Sequence, residues 1–366
     1  MPINTLFVDR TVAHMPDTAH FTDRLGLPPR LVDGPEAVYA CVNASQDPIQ
    51  RGKEVLYLTR NRGAFVRACP GTREYTCCGY KILHIGTYCT MDCAYCILQS
   101  YFHPPVLQYF LNQEGMEAEL TATFALKEIS RIGTGEFTDS LIWELWTPLS
   151  RRLVPLFARQ KRAVLELKSK STAIDHLADL DHDGKTIMAW SVNTPRVIAD
   201  AERGTASLEA RLRAAARCQA WGYPLAFHFD PMVIYNGCEA EYEHVVDQLF
   251  NSVDGRRIVW ISLGSFRFMP DLKPIVAQRF PRTKLIYGEF IPGLDGKMRY
   301  FQPLRTALYR RVAARIRRHD PDVVIYFCME DAAVWEKALG VVPNGDEGLA
   351  GMLDAAACRH CGLSLD

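Results

Sequence analysis

The feature that most constrains this chain is an alternation that repeats from Tyr80 onward. Short apolar stretches recur at Lys81–Ile85, Ile129–Gly133, Ala163–Lys168, Thr186–Val192, Leu225–Phe229, Arg257–Ser262, Lys284–Tyr287 and Val323–Cys328. Longer stretches with helical spacing separate them. In one of these, Leu208, Leu212, Ala215 and Ala216 share a face beside Glu209, Arg211 and Arg213. Strands alternating with helices pair in parallel, because each helix is the crossover that returns the chain to the same edge of the sheet. So many units predict an α/β fold, a partial (β/α)6 TIM-like barrel, with its chemistry at the C-terminal strand ends. A chain of 366 residues accommodates one such barrel with extensions. The expected division is an N-terminal extension over 1–79, a barrel over 80–290 and a C-terminal extension over 291–366. Within the first, residues 1–50 read as irregular and 54–58 as a strand.

The loop after the first barrel strand carries Cys89-Thr90-Met91-Asp92-Cys93-Ala94-Tyr95-Cys96. Its C-x3-C-x2-C spacing can hold three irons of a [4Fe–4S] cube and leave the fourth without a protein ligand, where most such clusters take four thiolates. A zinc knuckle or a set of buried thiols also suits three nearby cysteines. The run resembles the cluster loop of the radical S-adenosylmethionine (SAM) superfamily, in which the open iron chelates the amino and carboxylate groups of SAM.

Composition narrows the setting. There is no run of eighteen apolar residues, which argues against a membrane span, and no basic-then-apolar leader over Met1 to Asp17. Twelve cysteines without a leader read as metal binding rather than disulfides, and point to a reducing cytoplasm. Formal net charge is zero. Nucleic-acid binding would therefore need a local patch. The candidates are Arg151, Arg152, Arg159, Lys161 and Arg162, and Arg305, Arg310, Arg311, Arg315, Arg317 and Arg318; a solvated helix face is the plainer reading of each.

Further polar groups fall at predicted strand ends. Gly133-Thr134-Gly135-Glu136 follows the second barrel strand, and Thr138 lies just beyond. Lys168-Ser169-Lys170 ends the next strand, and Ser191-Val192-Asn193-Thr194 the one after. His228 and Asp230 are candidates for hydrogen-bonding or acid–base contact with substrate. Arg267 suits a phosphate or a salt bridge. Tyr300 and Phe301 beside Lys297 and Arg299 suit nucleic acid or ordinary packing. Cys69, Cys77, Cys78, Cys328, Cys358 and Cys361 are candidates for a second site, an auxiliary cluster or a zinc. Cys41, Cys218 and Cys238 read as plain thiols.

Taken together, the cysteine loop with Ile97-Leu98-Gln99, Lys170, Ser191 to Thr194, Arg211 with Ala214 and Ala215, Gly222-Tyr223-Pro224-Leu225, Tyr326-Phe327-Cys328 and Trp335 resemble the spore photoproduct lyase family of radical SAM enzymes. The resemblance implies a cluster on Cys89, Cys93 and Cys96, and SAM held by Gly133, Gly135, Glu136, Thr138, Lys170, Ser191 and Asn193. It implies an electron donor such as flavodoxin or ferredoxin. It also implies hydrogen abstraction from a thymine dimer in damaged DNA, with Tyr95 as part of a radical relay. Two departures stand out. The segment from Gly135 to Ser140 lacks the cysteine with which the family returns hydrogen to product. Ile97 replaces the second relay tyrosine. Both parts belong to one step, so a different quenching route or a different substrate is expected. A rival from another class is a non-catalytic, zinc-stapled nucleic-acid-binding protein.

Overall fold

The computed structural model describes residues 3–71, 74–343 and 348–365. Its main element is an eight-stranded sheet curled into a half-barrel. The strands are Val66–Ala68 (β1), Lys81–Leu83 (β2), Ser130–Gly133 (β3), Ala163–Ser169 (β4), Thr186–Ser191 (β5), Leu225–Met232 (β6), Ile258–Ser265 (β7) and Val324–Phe327 (β8). They lie side by side in chain order. Every neighbouring pair is parallel except β1 with β2. The strands β5 and β7 are buried along their whole length, as expected where helices cover one face and the barrel interior the other. The predicted alternation is therefore real. The exception is Lys284–Tyr287, which is a turn. Its Leu285 and Ile286 bury their side chains without a ladder partner, and the Tyr287 N–H donates to the Lys284 carbonyl. The strand in the barrel sheet after β7 is β8, beyond residue 290.

The first 50 residues are not irregular. Thr5–Asp9, Pro29–Val32, Val55–Thr59 and Leu107–Phe110 form a parallel sheet, with Gly86–Thr87 antiparallel at its edge. All five residues of Thr5–Asp9 are buried. This strand is too short for its period to show above the surrounding Pro, Asp and Gly. The sheet takes a strand from the segment just after the cysteine loop, which ties that loop to the N-terminal region.

The half-barrel stays open between β1 and β8, and residues 74–80 reach toward the gap. The Cys69 N–H donates to the Tyr80 carbonyl at 2.9 Å, and the Thr76 N–H to the Glu330 carbonyl at 3.2 Å. The C-terminal helix Gly348–Cys361 packs beside it. Arg131 pairs with Asp354 at 2.6 Å and donates to the Cys78 carbonyl. No helix among the described residues is long and apolar enough to cross a membrane.

Candidate functional site

The cysteine loop leaves the end of β2 and has little regular structure, so its buried backbone groups need other partners. Two side chains supply them, Lys53 from 36 residues before Cys89 and Gln99 from just after the loop. The Lys53 ammonium donates to the carbonyls of Cys89 (3.1 Å) and Met91 (2.5 Å). It lies 4.2 Å from the centre of the Tyr88 ring. The Gln99 amide donates to the carbonyls of Cys93 and Ala94 at 3.1 Å and of Cys96 at 3.3 Å. Arg279 pairs with Asp92 at 3.0 Å and with Asp47 at 3.2 Å. Tyr88, just before the first cysteine, sits at φ 70°, an uncommon backbone state for a bulky residue that these contacts hold in place.

Cys89 and Cys93 are buried and Cys96 is half-buried. Burial pushes the Cys89 thiol up to about 12, and Asp139 and Cys96 add to the effect while Lys53 opposes it. Cys93 is also pushed well up by burial, with Glu202, Cys96 and Cys89 adding and Lys170 opposing. The three sulfurs thus feel one another's charge. Yet among the described residues no three His, Cys, Asp or Glu side chains converge as ligands of one metal ion. Three thiols carried by one buried loop can serve three corners of an iron–sulfur cube and leave its fourth iron without a protein ligand. A cationic group between them would favour the thiolates that burial alone disfavours.

Behind the loop, the Tyr95 hydroxyl donates to Glu202, whose carboxylate pairs with Arg211 at 2.5 Å. Arg211 also donates to the Ser191 carbonyl and to Thr205, each at 2.8 Å. The local register makes this meeting possible: Glu202–Arg203 pairs antiparallel with Asp92–Cys93. Lys170 completes the group, with its ammonium 5.7 Å from the Tyr95 ring centre.

The predicted strand-end residues fall into three groups. Around β3 and β4, Gly133 and Gly135 permit close approach. A Cβ on Gly133 would lie 1.6 Å from the Tyr80 hydroxyl, and one on Gly135 would lie 3.0 Å from Lys168. Glu136 pairs with Lys168 at 3.4 Å. Asp139 accepts from the N–H groups of Leu141 (3.0 Å) and Lys170 (2.9 Å) and from the Ser169 hydroxyl (2.8 Å), which fixes the start of the 170 loop. The Thr138 hydroxyl accepts from the Trp143 indole at 3.1 Å and is buried. Around β5, Asn193 has both ends of its carboxamide occupied. It donates to the Pro231 carbonyl and accepts from the Tyr242 hydroxyl, each at 2.8 Å. Around β6, His228 and Asp230 separate. His228 points into the barrel between Glu166 (2.9 Å) and Ser262 (3.0 Å). Asp230 faces the mouth and pairs with Arg267 at 3.1 Å, so Arg267 takes the salt-bridge alternative.

The six remaining candidate cysteines form two groups rather than one. Cys69, Cys77, Cys78 and Cys328 lie toward the mouth. Cys69 feels Glu136, Cys78, Lys168 and Cys77, and Cys328 feels Arg267, Asp230, Cys78 and Glu136. Cys358 and Cys361 belong to the C-terminal helix, beside Asp354 and Lys185 respectively. Gly79 does meet this helix at Ala350, but the cysteine pair lies more than two turns further along it.

The arginine clusters are largely spent on protein partners. Arg315 pairs with Asp247 at 2.6 Å, Arg311 with Glu243 at 2.9 Å and Arg305 with the buried Glu330 at 3.1 Å. Arg151 pairs with Asp179, and Arg152 with Asp17. Near the hairpin, Arg299 and Lys297 both engage Asp295, and Tyr300 stacks on Phe290, which is packing rather than an open basic surface.

The family model for spore photoproduct lyase matches residues 74–292, more than half of the chain. The chain belongs to the spore photoproduct lyase family. Over 209 residues it is 29% identical to the spore photoproduct lyase of Bacillus subtilis, covering 56% of this chain and 61% of that one. It is 23% identical to that of Clostridium acetobutylicum over 237 residues, covering 64% of this chain and 68% of that one. The chain thus spans about three fifths of the length of the Bacillus relative. The fold matches a spore photoproduct lyase mutant with bound AdoMet and dinucleoside spore photoproduct, with TM-score 0.76 and 22% identity over 89% of this chain and 100% of that one. It also matches a spore photoproduct lyase complexed with dinucleoside spore photoproduct, with TM-score 0.75 and 21% identity over the same shares.

For a spore photoproduct lyase family member, the parts that sequence reading missed are the supports. Lys53, Arg279 and Glu202 hold the cysteine loop from outside any recognisable motif, while Asp92 and Gln99 stand within or just after the cysteine run with no role assigned from sequence. Asp139 was read only as part of a segment without cysteine. Neither Lys53, between Gly52 and Glu54, nor Glu202, between Ala201 and Arg203, stands in an apolar stretch, so the burial of each carried no local signal.

Proposed function

We propose that this chain is a radical SAM enzyme of the lyase type, acting on a methylene-bridged thymine dimer in DNA. In this reading Cys89, Cys93 and Cys96 hold a [4Fe–4S] cluster. A cluster held there would supply one-electron reduction of the SAM sulfonium. The protein's own part is binding, orientation and exclusion of water. Glu136, steadied by Lys168, accepts from the SAM ammonium. Lys170, its backbone pinned by Asp139, offers a cation to the SAM carboxylate. Gly133 and Gly135 let the backbone approach. The Ser191 carbonyl is already held by Arg211, and Asn193 is engaged with Pro231 and Tyr242, so both act by shaping the wall. Tyr95 is a redox-capable phenol whose proton is held at Glu202. His228 acts within the barrel through Glu166, while Asp230 with Arg267 meets the substrate. The electron comes from a flavodoxin or ferredoxin, in a reducing cytoplasm.

The observation that carries this reading is the trio of thiols on one clamped loop at the C-terminal end of the half-barrel, facing Lys170 and Asp139. No observation favours the zinc-stapled alternative. The test is anaerobic reconstitution followed by SAM, a strong reductant and the dinucleoside spore photoproduct. A broad band near about 400 nm, 5′-deoxyadenosine and the repaired dinucleoside are expected. Cys93→Ala should remove all three. A reconstituted protein that binds only zinc and cleaves no SAM overturns the reading. SAM cleavage with no repair of the dinucleoside overturns the substrate alone.

A further inference from the structure

One question left by the sequence is where a product radical finds its hydrogen, since residues 135–140 contain no thiol. The C-terminal end of β8 bears on it. Phe327 packs outward, stacking on Tyr309 at 4.7 Å and touching Trp335 at 4.8 Å. Strand alternation then directs Tyr326 and Cys328 to the opposite, inner side. Tyr326 accordingly feels Cys78, Glu166 and Cys328. Around the Cys328 thiol lie two ion pairs, Asp230–Arg267 at 3.1 Å and Glu136–Lys168 at 3.4 Å. The Lys168 ammonium in turn feels Glu136, Asp230 and Cys328. Four strand ends thus point charged groups into one space shared with this sulfur. The space is wet: a quarter of the Lys168 side chain and 27% of the Asp230 side chain are exposed, and Cys328 itself is only half-buried.

The position of Cys328 is also built. Met329, next in the chain, sits at φ 57°, a costly state for a non-glycine residue. The turn is held on both sides. Arg299 donates to the Met329 carbonyl at 2.9 Å, and Arg305 and Tyr309 grip Glu330 at 3.1 Å and 2.9 Å.

We infer that Cys328 is the hydrogen-atom donor that quenches the substrate-derived radical. The inference rests on the radical SAM reading above and adds a residue to it. The product carbon radical takes the hydrogen atom of Cys328. One C–H bond forms, one S–H bond breaks, and the unpaired electron passes to sulfur. The thiyl then regains one electron from the same low-potential reductant that feeds the cluster, and one proton from water. The net cost is a second electron per turnover, with no oxidant required.

The experiment uses reconstituted full-length protein with SAM, reductant and the dinucleoside spore photoproduct in D2O, where thiol hydrogens exchange. The wild type should place one deuterium in each repaired dinucleoside. Cys328→Ser keeps the shape and a polar tip but replaces S–H with a stronger O–H bond. It should lose the labelled product while 5′-deoxyadenosine formation continues. Unchanged label in Cys328→Ser overturns the assignment and leaves the enzyme class standing. A second measurement needs no turnover: in the cluster-free protein, the dinucleoside should protect Cys328 from iodoacetamide, read by mass spectrometry. Alkylation of Cys328 at the same rate with and without dinucleoside also overturns it. If the wild type neither repairs nor is protected by the dinucleoside, the substrate reading fails and takes this donor with it.

Discussion

Glu166 Oε1 lies 2.9 Å from His228 Nε2 on the buried inner face of the half-barrel, and the Trp260 indole donates to the same oxygen at 3.2 Å. Burial by itself would raise the Glu166 carboxyl, but the charge and hydrogen bond of His228, together with Lys168, hold it at about 2. The pair therefore stabilises the floor beneath the mouth rather than supplying a proton to it.

Glu166→Gln removes one partner of a buried pair and should cost about 3–5 kcal/mol, read as a lower denaturant midpoint at pH 7. The folded value lies below the ordinary 4.5, so the stabilisation is fully present above that pH and is lost as pH falls through about 2. The gap between wild type and variant should close across that window. A gap that stays constant from pH 7 to pH 2 would show that the ion pair is not its source.

Glu144 has the opposite sign. Burial pushes its carboxyl up to about 7, against hydrogen bonds from the Ser150 N–H (2.8 Å) and hydroxyl (2.6 Å). A raised acid favours the protonated folded chain, so it costs stability progressively as pH rises from 4.5 to about 7. Glu144→Gln keeps an acceptor for Ser150 and offers a donor to His176, 3.2 Å away, which burial holds neutral near pH 7. The variant should be more stable than wild type at pH 8, by at most about 3 kcal/mol, and no more stable at pH 4.5. Thermal melts at the two pH values decide it.

Lys53→Met should loosen the cysteine loop. It strands the buried carbonyls of Cys89 and Met91, at about 1–3 kcal/mol for each group left unpaired. Both a lower melting temperature and less iron per chain after reconstitution are expected. Full iron content in a destabilised variant would mean that the loop keeps its geometry without the clamp.

Gly133→Ala is an overpacking test. The added carbon would meet the Tyr80 hydroxyl at 1.6 Å and the Glu166 carbonyl at 2.9 Å. A loss of about 1–3 kcal/mol is expected, partly recovered by adding Tyr80→Phe, which deletes the clashing oxygen. Equal losses in the single and double variants would place the strain at the Tyr80 ring carbon, 2.7 Å from the added carbon, and the Glu166 carbonyl instead.

Much of this architecture was legible before any coordinates. Seven strands of the half-barrel are short, apolar and separated by helical spacing, so β2 to β8 could each be anticipated to within a few residues; the edge strand β1 could not. Lys284–Tyr287 was misread because four apolar-rich residues look alike whether they pair in a ladder or merely cover a core. The N-terminal sheet was missed because Thr5–Asp9 and Pro29–Val32 gain their partners only when Val55–Thr59 and Leu107–Phe110 arrive beside them.

The sequence by itself determined the parallel half-barrel and the three-thiol loop at its mouth, because periodicity and cysteine spacing are written within a few neighbouring residues. Only the tertiary structure decided that Glu202 stands behind Tyr95, that Lys53 caps the loop carbonyls, and that Cys328 feels the charges of Glu136 and Asp230. Those partners lie 107 and 36 residues apart in the first two cases. A buried charge or thiol carries no local mark of what it will face; its partner is set by which strand ends the barrel brings to the same rim.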